Sequence, residues 1–160
     1  MLFRSQRRES QLEILHSLID NQLMDDRTAV AGRPIRKGYL SSRFGKRTDP
    51  FTGKVAYHKG VDFAAPDGSD VIATGAGVVT YAGHRWGYGN LVEINHGKGI
   101  TTGYAHLKKP VAKKGDIVES GDVIAIVGST GRSTGPHVHY EVLKNDQQIN
   151  PHTYIAKARP

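Results

Sequence analysis

The chain contains no cysteine. Neither a disulfide nor a thiolate metal site is therefore open to it, and any metal must be held by histidine, aspartate or glutamate. It has no uninterrupted apolar run of the roughly 18 residues needed to cross a bilayer. The opening Met1-Leu2-Phe3-Arg4 does not read as a signal peptide. Tryptophan is nearly absent, with one residue in 160, and aromatic residues together make up 8%. A net charge of +7 favours an acidic partner. The positive residues are dispersed, however, in short runs such as Lys108-Lys109 and Lys113-Lys114. No basic helix or aromatic–basic stripe of the kind that binds nucleic acid is present, so no nucleic-acid partner is expected.

What the chain does have is glycine, 19 residues in all, enough for many tight turns. One stretch is glycine-free: residues 5–26 are charged and leucine-rich, with Leu12, Leu15, Ile19 and Leu23 at helical spacing and Leu18 and Met24 widening the stripe. The pattern predicts one amphipathic helix that packs on the body or on another helix. A break and linker are expected from Asp25-Asp26 to Gly32-Arg33-Pro34. Beyond it, short apolar runs alternate with glycine-containing turns: Tyr39-Leu40, Val71 to Ala73, Val78-Val79, Leu91 to Asn95, Ile100 to Leu107, Val123 to Val127 and His137 to Leu143. The expectation is a mainly β fold: an N-terminal helix and linker over 1–32, a compact antiparallel β-sheet domain over 33–155, and a tail over 156–160.

The segment Lys114 to Asp122 looks like a hairpin of the barrel-sandwich carriers. Such a carrier presents a lysine in an Asp-Lys or Met-Lys pair at a hairpin tip, and this chain has none.

The chemistry centres on Gly135-Pro136-His137-Val138-His139-Tyr140-Glu141. In a strand, His137, His139 and Glu141 share one face while Val138, Tyr140 and Val142 form the core face. Two earlier motifs offer more of the same: His58-Lys59-Gly60-Val61-Asp62, and Tyr104-Ala105-His106-Leu107, where alternation puts His106 on the face of Tyr104. His58, Asp62 and His139 together make a three-ligand set with a coordination position left open, as in catalytic zinc sites. His106 and His137 are then left for proton transfer and charge stabilisation. His16, His84, His96 and His152 lack such company and read as surface or structural residues.

The order His58-x-x-x-Asp62, Tyr104-Ala105-His106-Leu107, Gly135-Pro136-His137-Val138-His139 resembles that of the lysostaphin/LytM-type zinc endopeptidases. The likeness runs over most of 38–151, including Ser41 to Lys46, Gly87-Tyr88-Gly89-Asn90 and Gly128 to Gly135. Val138 and Tyr140 stand where leucine and phenylalanine are usual, and Ser69-Asp70 replaces a commoner Thr-Pro. The resemblance implies a peptidoglycan endopeptidase of the Gram-negative envelope type with one zinc ion on His58, Asp62 and His139. His137 would be the general base, and His106 would hold the oxyanion or shuttle a proton. It implies peptidoglycan crosslinks as substrate, on the periplasmic or extracellular side of the bacterial envelope. The N-terminal helix, for its part, is expected either to plug the groove or to link to a coiled-coil or membrane-tethered N-terminal partner region. Two other classes compete: a non-catalytic wall-binding or regulatory module, and a metal-free carrier or carbohydrate-binding barrel.

Overall fold

Strand pairing organises the chain. A computed structural model describes residues 2–19 and 28–157. Helix α1 (Leu2–Ile19) comes first, followed by strands β1 (Tyr39–Ser42), β2 (Gly45–Thr48), β3 (Val55–His58), β4 (Val61–Ala64) and β5 (Asp70–Ile72). The long strands β6 (Gly77–Arg85), β7 (Gly89–Asn95) and β8 (Ile100–Pro110) follow. The chain continues through β9 (Ile117–Val118), β10 (Val123–Val127), β11 (His137–Lys144) and β12 (Gln147–Ile149) to one helical turn, α2 (His152–Ile155). Every strand run expected from the sequence is present.

The main sheet runs β1-β4-β11-β8-β7-β6-β9, with β10 joining β8 to β5 and β12 pairing with β11. All its pairings are antiparallel. Strands β2 and β3 form a separate two-stranded arm. Strand β11 lies between β4 and β8, in a register that puts His139 opposite Asp62 on one side and Ala105 on the other. Its core face is as the alternation predicts: Val138, Tyr140 and Val142 are all fully buried, packed with Phe63 of β4 and Val92 and Ile94 of β7. Each such side chain contributes about 1.5–3 kcal/mol, which is what pins the opposite face of β11 in place.

Two local expectations are corrected. The segment Lys114 to Asp122 is not a hairpin: Asp116 and Asp122 each cap a tight turn, and β9 between them pairs with β6. The helix also presents a different face. Leu12 and Ile19 are 56% and 76% exposed, whereas Ile14 is fully buried. The docked face is Arg7, Ser10, Gln11, Ile14 and Leu18, which turns Leu12 and Ile19 outward. Arg7 and Ser10 bond Glu119, Arg7 also bonds Asp122, Gln11 donates to the Ile117 carbonyl, and Leu18 lies against Gly97. Polar anchors on the β9 turns, which periodicity does not weigh, decide the orientation. Leu23 and Met24 lie outside the described residues. Residues read as linker are also tied down: Ala31 N–H donates to Thr74 and Gly32 N–H to Tyr154, with Val30 and Ala31 buried.

Candidate metal centre

Three ligating atoms converge where the arm meets the main sheet. His58 ends β3 and Asp62 sits in β4, so the His-x-x-x-Asp spacing turns a corner between two sheets rather than following one strand face. Gly60 makes the corner: a Cβ there would run into the Tyr140 carbonyl and crowd the ring of His139. His58 Nε2 lies 3.1 Å from His139 Nδ1 and 3.2 Å from Asp62 Oδ1, and His139 Nδ1 lies 2.8 Å from Asp62 Oδ1. Ligands around a tetrahedral zinc with bonds of about 2.0–2.2 Å stand roughly 3.3 Å apart. The triangle is close to that spacing, and all three residues are buried.

Each ligand's other polar atom is already engaged. His58 Nδ1–H donates to the Arg43 carbonyl at 2.8 Å, leaving Nε2 as the lone pair. His139 Nε2–H donates to Glu141 Oε1 at 3.2 Å, leaving Nδ1. Arg47 and Asp62 pair at 3.0 Å through Asp62 Oδ2, leaving Oδ1 for a metal. Such outer partners fix tautomer and ring orientation. The electrostatics point the same way. Burial opposes charge on both Asp62 and His139. Even so, the imidazoles of His139 and His58 beside it hold the Asp62 carboxyl well below the usual carboxylate range. Asp62 and Glu141 raise His139 to about 9. Two buried carboxylates, of which Arg47 already pairs with one, favour a further cation where the three ligating atoms meet.

The other two predicted residues flank this triangle. His137 Nε2 is 3.9 Å from Asp62 Oδ1, and its Nδ1–H donates to the Gly135 carbonyl at 2.8 Å, with Ser133 Oγ at 3.2 Å. The rings of His106 and His137 are 4.9 Å apart. His106 reaches the site by a route that alternation misses. Strand β8 carries one extra residue between Tyr104 and Leu107, and His106 has φ +62°, a left-handed conformation in which histidine is enriched among non-glycine residues. Tyr104 and Leu107 are both fully buried in the core while His106 turns to the site, so Tyr104 and His106 do not share a face. The flipped residue is held by His106 N–H to Tyr88 O and Nδ1–H to Thr130 O at 2.7 Å. Burial lowers His106 to about 4, against the pull of the Thr130 carbonyl.

Sequence reasoning gave no role to Arg47, Tyr88, Thr130, Ser133 or Glu141. The Tyr88 hydroxyl donates to Glu141 Oε1 at 3.3 Å, and burial with the Glu141 charge raises it to about 12. The site opens into a groove of about 300 Å³. The β2–β3 arm and its Asp49–Phe51 turn form one wall; Gly87-Tyr88 and Arg132 to Thr134 form the other. Arg132 bridges the walls, bonding both Asp49 carboxylate oxygens at 3.0 and 2.8 Å with its guanidinium over the Phe51 ring. Among the described residues, no side chain of α1 lines the groove. His16, His84 and His152 are exposed. His96 is buried elsewhere, between the Ala76 carbonyl and Thr102 Oγ1.

The chain is 43% identical over 132 residues to the DD-carboxypeptidase/endopeptidase Mpg of Neisseria meningitidis, covering 82% of this chain and 30% of that protein. It is 38% identical over 145 residues to the peptidoglycan DD-endopeptidase ShyC of Vibrio cholerae, covering 82% and 34% respectively. The chain thus spans about a third of the length of these relatives. Among solved structures, a zinc-containing peptidase from Vibrio cholerae superposes with a TM-score of 0.70 at 39% identity, over 82% of this chain and 41% of that one. The catalytic domain of lysostaphin from Staphylococcus simulans gives 0.68 at 30%, over 75% and 93%. The sequence profile of Peptidase family M23 matches residues 56–151, which hold all five site residues, and the chain belongs to that family.

Proposed function

We propose that this chain is a zinc endopeptidase that hydrolyses peptide crosslinks of peptidoglycan, acting on the envelope side where that polymer lies. The observation that carries the reading is the convergence of His58 Nε2, Asp62 Oδ1 and His139 Nδ1, each backed by a partner that frees the ligating atom. Zinc held there supplies Lewis-acid polarisation of a peptide carbonyl and an acidified water.

The remaining steps fall to the chain's own groups. With Nδ1–H on the Gly135 carbonyl, His137 turns Nε2 towards the site, where it serves as the base. It takes a proton from the attacking water and returns it to the leaving amine. His106 is held in the same tautomer by Thr130, so its Nε2 is an acceptor and donates only after taking up a proton. That suits a shuttle beside His137. Tyr88 stays protonated through the neutral range; its hydroxyl, resting on Glu141 in the groove wall, can turn from that carboxylate to developing oxyanion charge, a contact of the kind worth about 3–4 kcal/mol. The groove is open at the surface. The relatives named for DD-endopeptidase activity favour the D-alanyl–diaminopimelate crosslink over a glycine bridge.

The test is digestion of purified, crosslinked peptidoglycan with identification of the new amino terminus. Expected is release of diaminopimelate ends, abolished by chelation and restored by zinc. Hydrolysis that survives exhaustive chelation, with no metal by elemental analysis, would falsify the zinc mechanism.

A further inference from the structure

The one tryptophan of the chain stands at an unusual place. Trp86 is 91% exposed at the tip of the β6–β7 hairpin, and no ring or cation contact involves it among the described residues. Its neighbour Arg85 lies instead over the Tyr81 ring, 4.3 Å from its centroid, and pairs with Glu93 at 2.8 Å. The next two residues, Gly87 and Tyr88, line the groove. Leaving the largest aromatic side chain in water forgoes the apolar burial that usually places it inside.

The mount is firm. Tyr88 N–H donates to the Arg85 carbonyl across the tip, and Arg132 N–H donates to Gly87 O. Gly131 packs so closely on Gly89 that a Cβ there would strike the Gly89 backbone. The backbone that carries the indole is thus fastened beside the groove-lining Gly87 and Tyr88.

We propose that Trp86 is a platform for an N-acetylhexosamine ring of the glycan strand whose stem peptide enters the groove. The inference rests on the peptidoglycan reading above and extends it from peptide to sugar. A pyranose ring has an apolar face of axial C–H bonds. An exposed indole offers the matching flat, electron-rich surface, with its N–H free to meet a sugar hydroxyl. Trp86 directly precedes two residues that line the groove, which sets a sugar docked on it within reach of a peptide bound there. The consequence is selectivity: crosslinks still attached to glycan are preferred over crosslinked peptides freed of sugar.

Because the chain has a single tryptophan, emission excited to the red of tyrosine absorption reports on this position alone. The zinc-loaded chain is titrated with peptide-free N-acetylglucosamine tetramer. A saturable emission shift is expected. In parallel, kcat/KM is measured for intact sacculi and for sugar-free crosslinked peptide dimers, in the parent chain and in Trp86→Ala and Trp86→Phe. The sacculus-to-dimer ratio should fall roughly tenfold in Trp86→Ala and largely recover in Trp86→Phe. An emission unchanged by millimolar tetramer, or a ratio that Trp86→Ala leaves intact, overturns the proposal. So does a shift seen only with phosphatidylglycerol vesicles or only on raising protein concentration. If neither substrate is cut, the peptidase reading falls, and the titration alone decides whether sugar binds at Trp86.

Discussion

Neighbouring histidines on one strand face do different work because their ring nitrogens have different partners. His139 turns Nδ1 to Asp62 and is braced by Glu141, whereas His137 is braced by Gly135 and stands further off. His139→Ala should therefore abolish metal retention. His137→Ala should keep about one metal per chain while turnover drops on the order of 10²–10⁴-fold. Elemental analysis beside a turnover assay checks the split, and equal metal loss in both variants would sink it. The face of His137, His139 and Glu141 was legible because strand alternation is strict where one side is a packed core. His106 shows where that logic stops. Its presence near the site was readable, but its orientation depends on one extra residue in β8 and a left-handed backbone at that residue. Arg47, Glu141 and Tyr88 were hidden for another reason: a residue that acts by holding a ligand has no spacing signature of its own.

At the scale of elements, α1 shows how an apolar stripe misleads when polar anchors settle the docking. Periodicity located the helix correctly and chose the wrong face. Ile14→Ala should destabilise the chain by about 2–4 kcal/mol, whereas Leu12→Ala, half exposed, should stay within about 0.5 kcal/mol. Urea unfolding of both variants decides it; a larger loss at Leu12 would restore the leucine stripe as the contact face. We propose that the body beyond the helix is the independent unit. The helix covers β6 and β9 and leaves the groove untouched. A chain without residues 1–28 should fold and bind metal, with lower stability from loss of the Ile14 contact and the Arg7 pairs. An unfolded product by circular dichroism would make α1 part of the core. The arm β2–β3 and strand β4 were not expected as separate elements, because the step at Lys59-Gly60 between them looks like a continuous strand until β4 pairs with β11.

For the molecule as a whole, part of the response to acid comes from a histidine outside the site. His96 is buried, donates to the Ala76 carbonyl and accepts from Thr102, whose hydroxyl continues through Tyr104 and Thr74 to Tyr140. Burial lowers it to about 4, from an ordinary value of 6.5. Between those values the unfolded chain holds a proton that the folded chain refuses. Stability from this group is therefore complete above pH 6.5 and lost as pH falls towards 4, by about 3 kcal/mol. His96→Gln should be less stable at pH 7 and flatter in its pH dependence below 6.5. An unchanged slope would move the acid sensitivity elsewhere.

The site joins positions far apart along the chain: Asp62 and His139 are 77 residues apart, and His58 and His139 are 81. In kinetic terms, these partners meet only once β11 has been laid against β4, one of the most non-local pairings of the fold. An ion that needs all three cannot bind before that event. It should therefore act as a latch fastened after folding, slowing escape from the native state without hastening arrival. With metal at about 100 times its dissociation constant, stability rises by about 2.7 kcal/mol, a gain of roughly 5–10 °C in Tm for a chain of this size. Stopped-flow unfolding should slow with added zinc while the refolding rate stays where chelator leaves it. A refolding rate that climbs with zinc would mean the ligands gather early, before the sheet that holds them is complete.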